Sequence, residues 1–229
     1  MASPSIRAKT TVVQATTNPL AFAKPTGLAV GDLLVLFVVS NNAAPASLPD
    51  GFAQIEYTGA NTYRLTIATK TAVQADTEAA SFGVGTNGTN RFGGVLYAVK
   101  DWGSVEHSDA AYTAASQYPV VSAGFTPAAT GDLLLVSGYA NRGIKRAYTA
   151  NNNPTWTEEY NDDSYWLQNH RSGPYTTGAT GNIGMVLSSS GASAAGVVAV
   201  APASAPPAPT YIPGIMRHHI IGKGVMVHG

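Results

Sequence analysis

Gly31-Asp-Leu-Leu-Val-Leu36 returns in this chain as Gly131-Asp-Leu-Leu-Leu-Val136, an offset of 131 − 31 = 100 residues. In both places a Gly-Asp turn dipeptide feeds a short apolar run rich in branched side chains, the pattern of a buried strand. The features that follow recur in the same order. Pro49, Phe52 and Glu56-Tyr57 are echoed by Pro154, Trp156 and Glu159-Tyr160, Tyr63-Arg-Leu65 by Tyr165-Trp-Leu167, and Gly94-Val95 by Gly196-Val197, with offsets that drift only from 100 to 105. Anchors in constant order at a nearly constant offset point to duplication of one strand unit, with too few copies for a solenoid.

Each unit reads as strands throughout. Tyr63, Leu65 and Ile67 alternate with Arg64 and Thr66, the period of two that turns one face inward and one outward. Asn41-Asn42, Pro49-Asp-Gly51, Asn87-Gly88 and Asn151-Asn-Asn-Pro154 break the runs, and nothing long has a helical period. The segment joining the units, Asp101 to Phe125, carries Tyr112, Tyr118, Val120 and Val121 and lacks the Pro/Gly/Ser character of a linker. The expectation is therefore an all-β fold: one β-sandwich over residues 1–202, jelly-roll or double Greek-key-like, from pseudo-repeats at about 26–100 and 126–202, each covering the other's apolar face.

Composition narrows the function. Lysine plus arginine and aspartate plus glutamate number 13 each, so no net field draws the chain to nucleic acid or to an anionic membrane. Charged residues make up 11% of the chain, against about 25% in an ordinary soluble domain, which leaves a surface of small and amide residues suited to being covered. There is no cysteine, so disulfides and thiolate metal sites are excluded, and a reducing compartment suits the chain. The N-terminus has no apolar core of signal-peptide length, and no run approaches the roughly 18 residues of a membrane-spanning helix.

Composition shifts at Ala201-Pro-Ala-Ser-Ala-Pro-Pro-Ala-Pro209, and residues 203–210 read as a semi-rigid extended spacer. Beyond it, residues 211–229 form an apolar arm with Tyr211, Ile212, Ile215, Met216, Ile220, Ile221, Val225, Met226 and Val227, together with His218, His219 and His228. A free disordered tail is not normally this apolar. Apolar contact alone does not offset the entropy of ordering such an arm, so it should also recover backbone hydrogen bonds, most economically by adding a strand to a sheet edge. Tyr211, Ile212, Ile215, Met216, His218, His219, Ile220, Ile221, Val225 and Met226 are the candidate protein-interface residues.

The order Gly-Asp-Leu-Leu-Val, Leu48-Pro-Asp-Gly-Phe52, Tyr63-Arg-Leu-Thr-Ile-Ala-Thr-Lys-Thr-Ala72 and Gly94-Val-Leu-Tyr-Ala-Val99 resembles β-sandwich proteins encoded in tailed-bacteriophage structural gene clusters. The resemblance covers about residues 20 to 202 and does not include the arm. It implies a non-enzymatic virion structural protein assembled in the host cytoplasm, a capsid decoration, minor capsid or tail-associated subunit. Such a subunit would form a homo-oligomer and bind the major capsid or tail protein of the same particle. The alternative is a carbohydrate-binding adhesion module of a tail fibre or baseplate, with Trp156, Tyr160, Tyr165 and Trp166 as the sugar-stacking surface.

Other motifs read as structure. Gly83-Val-Gly-Thr-Asn-Gly88 matches a dinucleotide fingerprint but leads into another strand, so no helix N-terminus is there to hold a pyrophosphate. His218 and His219, adjacent on an extended segment, point to opposite sides and do not easily share a metal ion. Glu158, Glu159, Asp162 and Asp163 lack calcium-loop spacing and read as a solvated turn rather than a glycosidase pair. Glu106-His-Ser-Asp109 contains triad residue types, but adjacency supplies neither triad geometry nor an oxyanion hole. Arg142, Lys145 and Arg146 are too small a basic spot for nucleic acid. The chain is expected to have no catalytic residue, no cofactor and no metal.

Overall fold

The computed structural model describes residues 2–60, 62–127, 131–140, 144–149, 156–161, 168–175 and 178–203. The described chain is nearly all β. Its strands are β1 (Ser5–Ala15), β2 (Leu20–Ala23), β3 (Leu33–Ser40), β4 (Ala53–Ala60), β5 (Tyr63–Thr71), β6 (Ser81–Val84), β7 (Phe92–Lys100), β8 (Trp102–Ser116), β9 (Val120–Ser122), β10 (Asp132–Ala140), β11 (Ile144–Thr149), β12 (Thr157–Asn161), β13 (Gln168–Tyr175), β14 (Ile183–Leu187) and β15 (Gly191–Pro202), with one short helix, α1 (Gln74–Glu78).

Two five-stranded antiparallel sheets, β1-β7-β3-β5-β4 and β8-β15-β10-β13-β12, carry the same order of equivalent strands. A ribbon β2-β6 lies outside the first, and a sheet β9-β14-β11 outside the second. Within each unit the pairing is nested: the first strand with the last (β1-β7, β8-β15), the second with the last but one (β2-β6, β9-β14), the third with the last but two (β3-β5, β10-β13). The lone bridge Ser47–Gly85 in the first unit corresponds to Ala147–Met185 in the second, where it has grown into the full β11-β14 ladder.

Ladder registers turn the likeness into residue equivalences. Leu34 pairs with Lys70 and Ala98 and Leu134 pairs with Ser172 and Ala199, so the offset is 100 on β3/β10, 102 on β5/β13 and 101 on β7/β15. Bulges recur too: β4 skips one residue between Gln54 and Glu56, and β12 between Glu158 and Tyr160. β1 skips one at Arg7 and β8 one at Glu106, opposite the equivalent pairs Ala98/Val99 and Ala199/Val200. A bulge re-aims the side chain of the extra residue, and here it does so at the same point of each unit.

The strand correspondence begins at β8, well before residue 126. Residues 102–122 are not a connection between units but the first two strands of the second one. One echo read from the sequence is out of register: at offset 101 Gly94 corresponds to Ala195 and Gly196 to Val95. A slip of one residue changes the face. A Cβ on Gly94 would meet Phe22 and the Phe37 carbonyl on the outer side, whereas one on Gly196 would meet Leu65 and Ile67 in the central core.

Three main apolar layers result. The central one joins the two large sheets through Leu33, Val35, Phe37, Val99, Leu133, Leu135, Val198 and Val200. The outer ones set Leu34, Leu36 and Val38 against Phe22 and Phe82, and Val136 and Val197 against Ile183 and Met185. Both faces of β3 and β10 are covered, which is why the Gly-Asp strands are continuously apolar instead of alternating. The alternation expected of β5 gives way for the same reason, since Thr66 and Ala68 are buried along with Leu65 and Ile67.

The two units meet through equivalent faces: Leu33, Val35 and Val99 on one side, their counterparts Leu133, Leu135 and Val200 on the other. Reciprocal contacts follow, as in a two-fold dimer. Trp102 at the head of β8 donates its indole N–H to the Gly31 carbonyl (2.7 Å), and Ser3 before β1 lies against Gly131. Gly31 and Gly131 both have positive φ, 89° and 106°, the backbone turn that feeds β3 and β10 and that favours glycine. Tyr63 and Tyr139 tilt together across the central layer at 4.9 Å, and burial, with Tyr63 beside it, pushes the Tyr139 hydroxyl up to about 12.

Candidate functional site

With the central strands β3 and β10 covered on both faces, the sheet edges are where backbone remains available. The outer strands are β1 and β4 in one large sheet and β12 and β8 in the other. Two of these edges close on each other: β4 runs along β8, and Ser108 donates its hydroxyl to Glu56 Oε1 at 2.7 Å. Edge strand β1 is long, with two irregularities in its ladder and Arg7 and Lys9 along its length, devices that blunt an edge against indiscriminate pairing.

The last described residues, Pro202 and Ala203, lie at the head of β8. Pro202 pairs with Trp102 at the head of β8, and Ala203 packs so closely against Gly103 that a Cβ there would lie 2.7 Å from the Ala203 Cα. Gly131 lies within reach of both Ser3 and Pro202. Pro202 and Ala203 are thus gathered with the heads of β1, β8 and β10.

The candidate interface residues, Tyr211 to Met226, lie outside the described residues, as do Tyr165 and Trp166. Tyr160 falls on β12. Trp156 is partly buried against Leu134 and Ala199, and its indole nitrogen is buried with no partner among the described residues. The structure therefore places two of the four aromatic candidates, on and just before one edge strand.

A cleft of about 430 Å³ opens between the Ser47–Asp50 turn, α1 and β6. Its cation is already engaged: Lys70 Nζ donates to Asp76 Oδ1 (2.7 Å) and to the Asp50 carbonyl (2.9 Å), with the Phe52 ring centroid 6.0 Å away. Asp76 in turn accepts the Val73 N–H (2.9 Å), so Lys70 and Asp76 fasten β5, the turn and α1 to one another. At the other unit, His107 Nε2 lies 3.0 Å from the Ser122 hydroxyl and its ring stacks on Phe125 at 4.7 Å. Ser122 is buried and accepts the Gly124 N–H, and its contact with His107 ties β8 to β9.

Sequence reasoning singled out Gly-Asp as a turn and missed what the two aspartates meet. Asp32 is 4% exposed and takes both arms of the Arg7 guanidinium, Nε at 2.6 Å and Nη2 at 3.1 Å, as well as the Ala29 N–H at 3.0 Å. The hydrogen bond to Asp32 raises the Arg7 pKa above its ordinary value. The duplicated Gly-Asp marks the aspartates in the sequence. Their partners are the bulge residues of β1 and β8, strands without an apolar echo of each other. Comparison of the chain with protein-family models, curated proteins and solved structures gives no match.

Proposed function

We propose that this chain is a structural subunit of a virion, a capsid decoration or minor capsid protein or a tail-associated one, which binds neighbouring subunits through its sandwich edges and its C-terminal arm. The observation that carries this reading is the exit of the chain. At Ala203 it leaves beside the heads of β1 and β8, and the sequence beyond supplies a proline spacer and then nine apolar side chains between Tyr211 and Val227. A spacer of that kind carries a segment away from its own fold, and an apolar segment regains backbone hydrogen bonds by joining a sheet edge. The surface poor in charge and the absence of net charge suit partners recognised by shape and apolar contact.

Light scattering on the full chain and on a chain lacking residues 204–229 tests the arm. The full chain is expected to form an oligomer and the shortened one to lose it. Equal masses would remove the arm from any self-interface. Particle purification tests the location: the protein should stay with assembled particles under salt that strips loosely held proteins, and its absence from them would sink the reading. Glycan binding that survives the truncation but is lost in Trp166→Ala would favour the adhesion module instead.

A further inference from the structure

The equivalence of the two units sets Glu106 where the first unit has Arg7, and Asp132 where it has Asp32. Both positions are fixed by ladder register: Arg7 and Glu106 are the extra residues of matching bulges, and the aspartates follow the matching glycines at offset 100. The ion pair of the first unit is matched in the second by a pair of carboxyl groups. Asp132 is 0% exposed, and neither of its oxygens receives an N–H or O–H from the described residues.

We propose that Glu106 and Asp132 form a shared-proton latch: one proton held between the two carboxyl groups fastens β8 to the head of β10, and its loss as pH rises loosens the end of the second unit from which the chain runs on to residue 204. The chemistry is that of two carboxyl groups sharing a site, one of them desolvated. Both cannot ionise together at modest cost, and a proton supplies the O–H···O bond that two carboxylates lack. Burial, then the hydrogen bond and charge of Glu106, push Asp132 up to about 8.

The titratable and charged groups around Asp132 come from the elements packed beside it. β8 brings Glu106 and also His107, which turns to Ser122 and Phe125. β15 brings Val200 and Ala201, and the segment before β1 brings Ser3 to Gly131. On β13 the residue paired with Asp132 is Tyr175, with Arg171 and His170 farther along, opposite Leu135 and Val136. The latch lies three residues along β8 from Gly103, which packs on Ala203, so it acts at the exit whatever the arm binds.

The sign follows from linkage. Asp132 keeps its proton in the folded state up to about pH 8 and releases it near the ordinary carboxylate value when unfolded, so its contribution is fully present in acid and is lost across that interval as pH rises. Thermal unfolding of the full chain from pH 5 to 8.5, with Asp132→Asn, Glu106→Arg and His107→Gln beside it, tests the proposal. The unmodified chain should lose several degrees of melting temperature more than Asp132→Asn over this range, and amides at the heads of β8 and β10 should lose exchange protection. Glu106→Arg, which rebuilds the first unit's ion pair, should raise the alkaline melting temperature, and His107→Gln should keep the slope. An unchanged slope in Asp132→Asn would overturn the latch. So would stabilisation of the unmodified chain, but not of Asp132→Asn, by calcium or magnesium, which would make this a cation site. Should the variants fail to fold, carboxyl carbon NMR of the unmodified chain reads Asp132 directly: a midpoint near 8 is expected, and one in the ordinary carboxylate range refutes the proposal.

Discussion

Gly196 shows how far one residue of register reaches. It occupies the place of Val95, yet its missing side chain is where Leu65 and Ile67 of the other unit sit: a Cβ there would lie 2.5 Å from Ile67 Cδ1 and 2.6 Å from Leu65 Cδ2. The duplicated faces have thus specialised, a bulky residue on one side opposed by glycine on the other. Gly196→Val should overpack the central layer and cost about 1–3 kcal/mol, read as a lower urea midpoint. Gly196→Ala should cost less, because the two nearest atoms it meets are the ends of side chains and the next, the Asp109 carbonyl, lies at 3.2 Å. Asp76 makes a second test, since it is the partner of partly buried Lys70 and the acceptor of the Val73 N–H. Asp76→Ala should cost about 2–3 kcal/mol in urea unfolding, the sum of a lost cap and a cation left without its partner.

Among the elements, legibility followed burial. β3 and β10 announce themselves because covering on both faces demands an unbroken apolar run after a turn glycine. β7 and β15 could be found for the same reason, although two glycines one place apart suggested a false register. β8 could not be read as the start of a unit. Its Gly103-Ser-Val-Glu-His-Ser-Asp109 has neither an apolar run nor clean alternation, and it is held as a strand by its long ladder with β15. The candidate site shared that fate, because Arg7 and Glu106 acquire their partners only through bulges, which depend on pairing and not on local sequence. Trp102 ties β8 to the turn before β3, so Trp102→Phe, which keeps an aromatic ring of smaller size and removes the N–H donor, should cost about 0.5–1.5 kcal/mol in chemical unfolding. A loss far above that would mean that the ring, and not the hydrogen bond, seats the head of the strand.

At the scale of the molecule, the central layer makes each unit part of the other's core. Leu65 and Ile67 belong to the first unit and Val198 and Val200 to the second, but they fill one cluster. All three tryptophans, Trp102, Trp156 and Trp166, lie in the second unit, so their fluorescence reports chiefly that unit and, through the bond from Trp102 to the Gly31 carbonyl, its contact with the first, while far-ultraviolet circular dichroism reports both. Separate units would give two transitions, and the midpoint of the main tryptophan transition would not move with mutations before residue 101. A shared core predicts one coincident transition by both probes in urea. It also predicts that Leu65→Ala, a cavity in the first unit, lowers the tryptophan-monitored midpoint by the equivalent of about 2–5 kcal/mol. A Leu65→Ala chain whose tryptophan transition stays in place while its dichroism transition moves would show that the two units fold independently and that the central layer is a contact rather than a core.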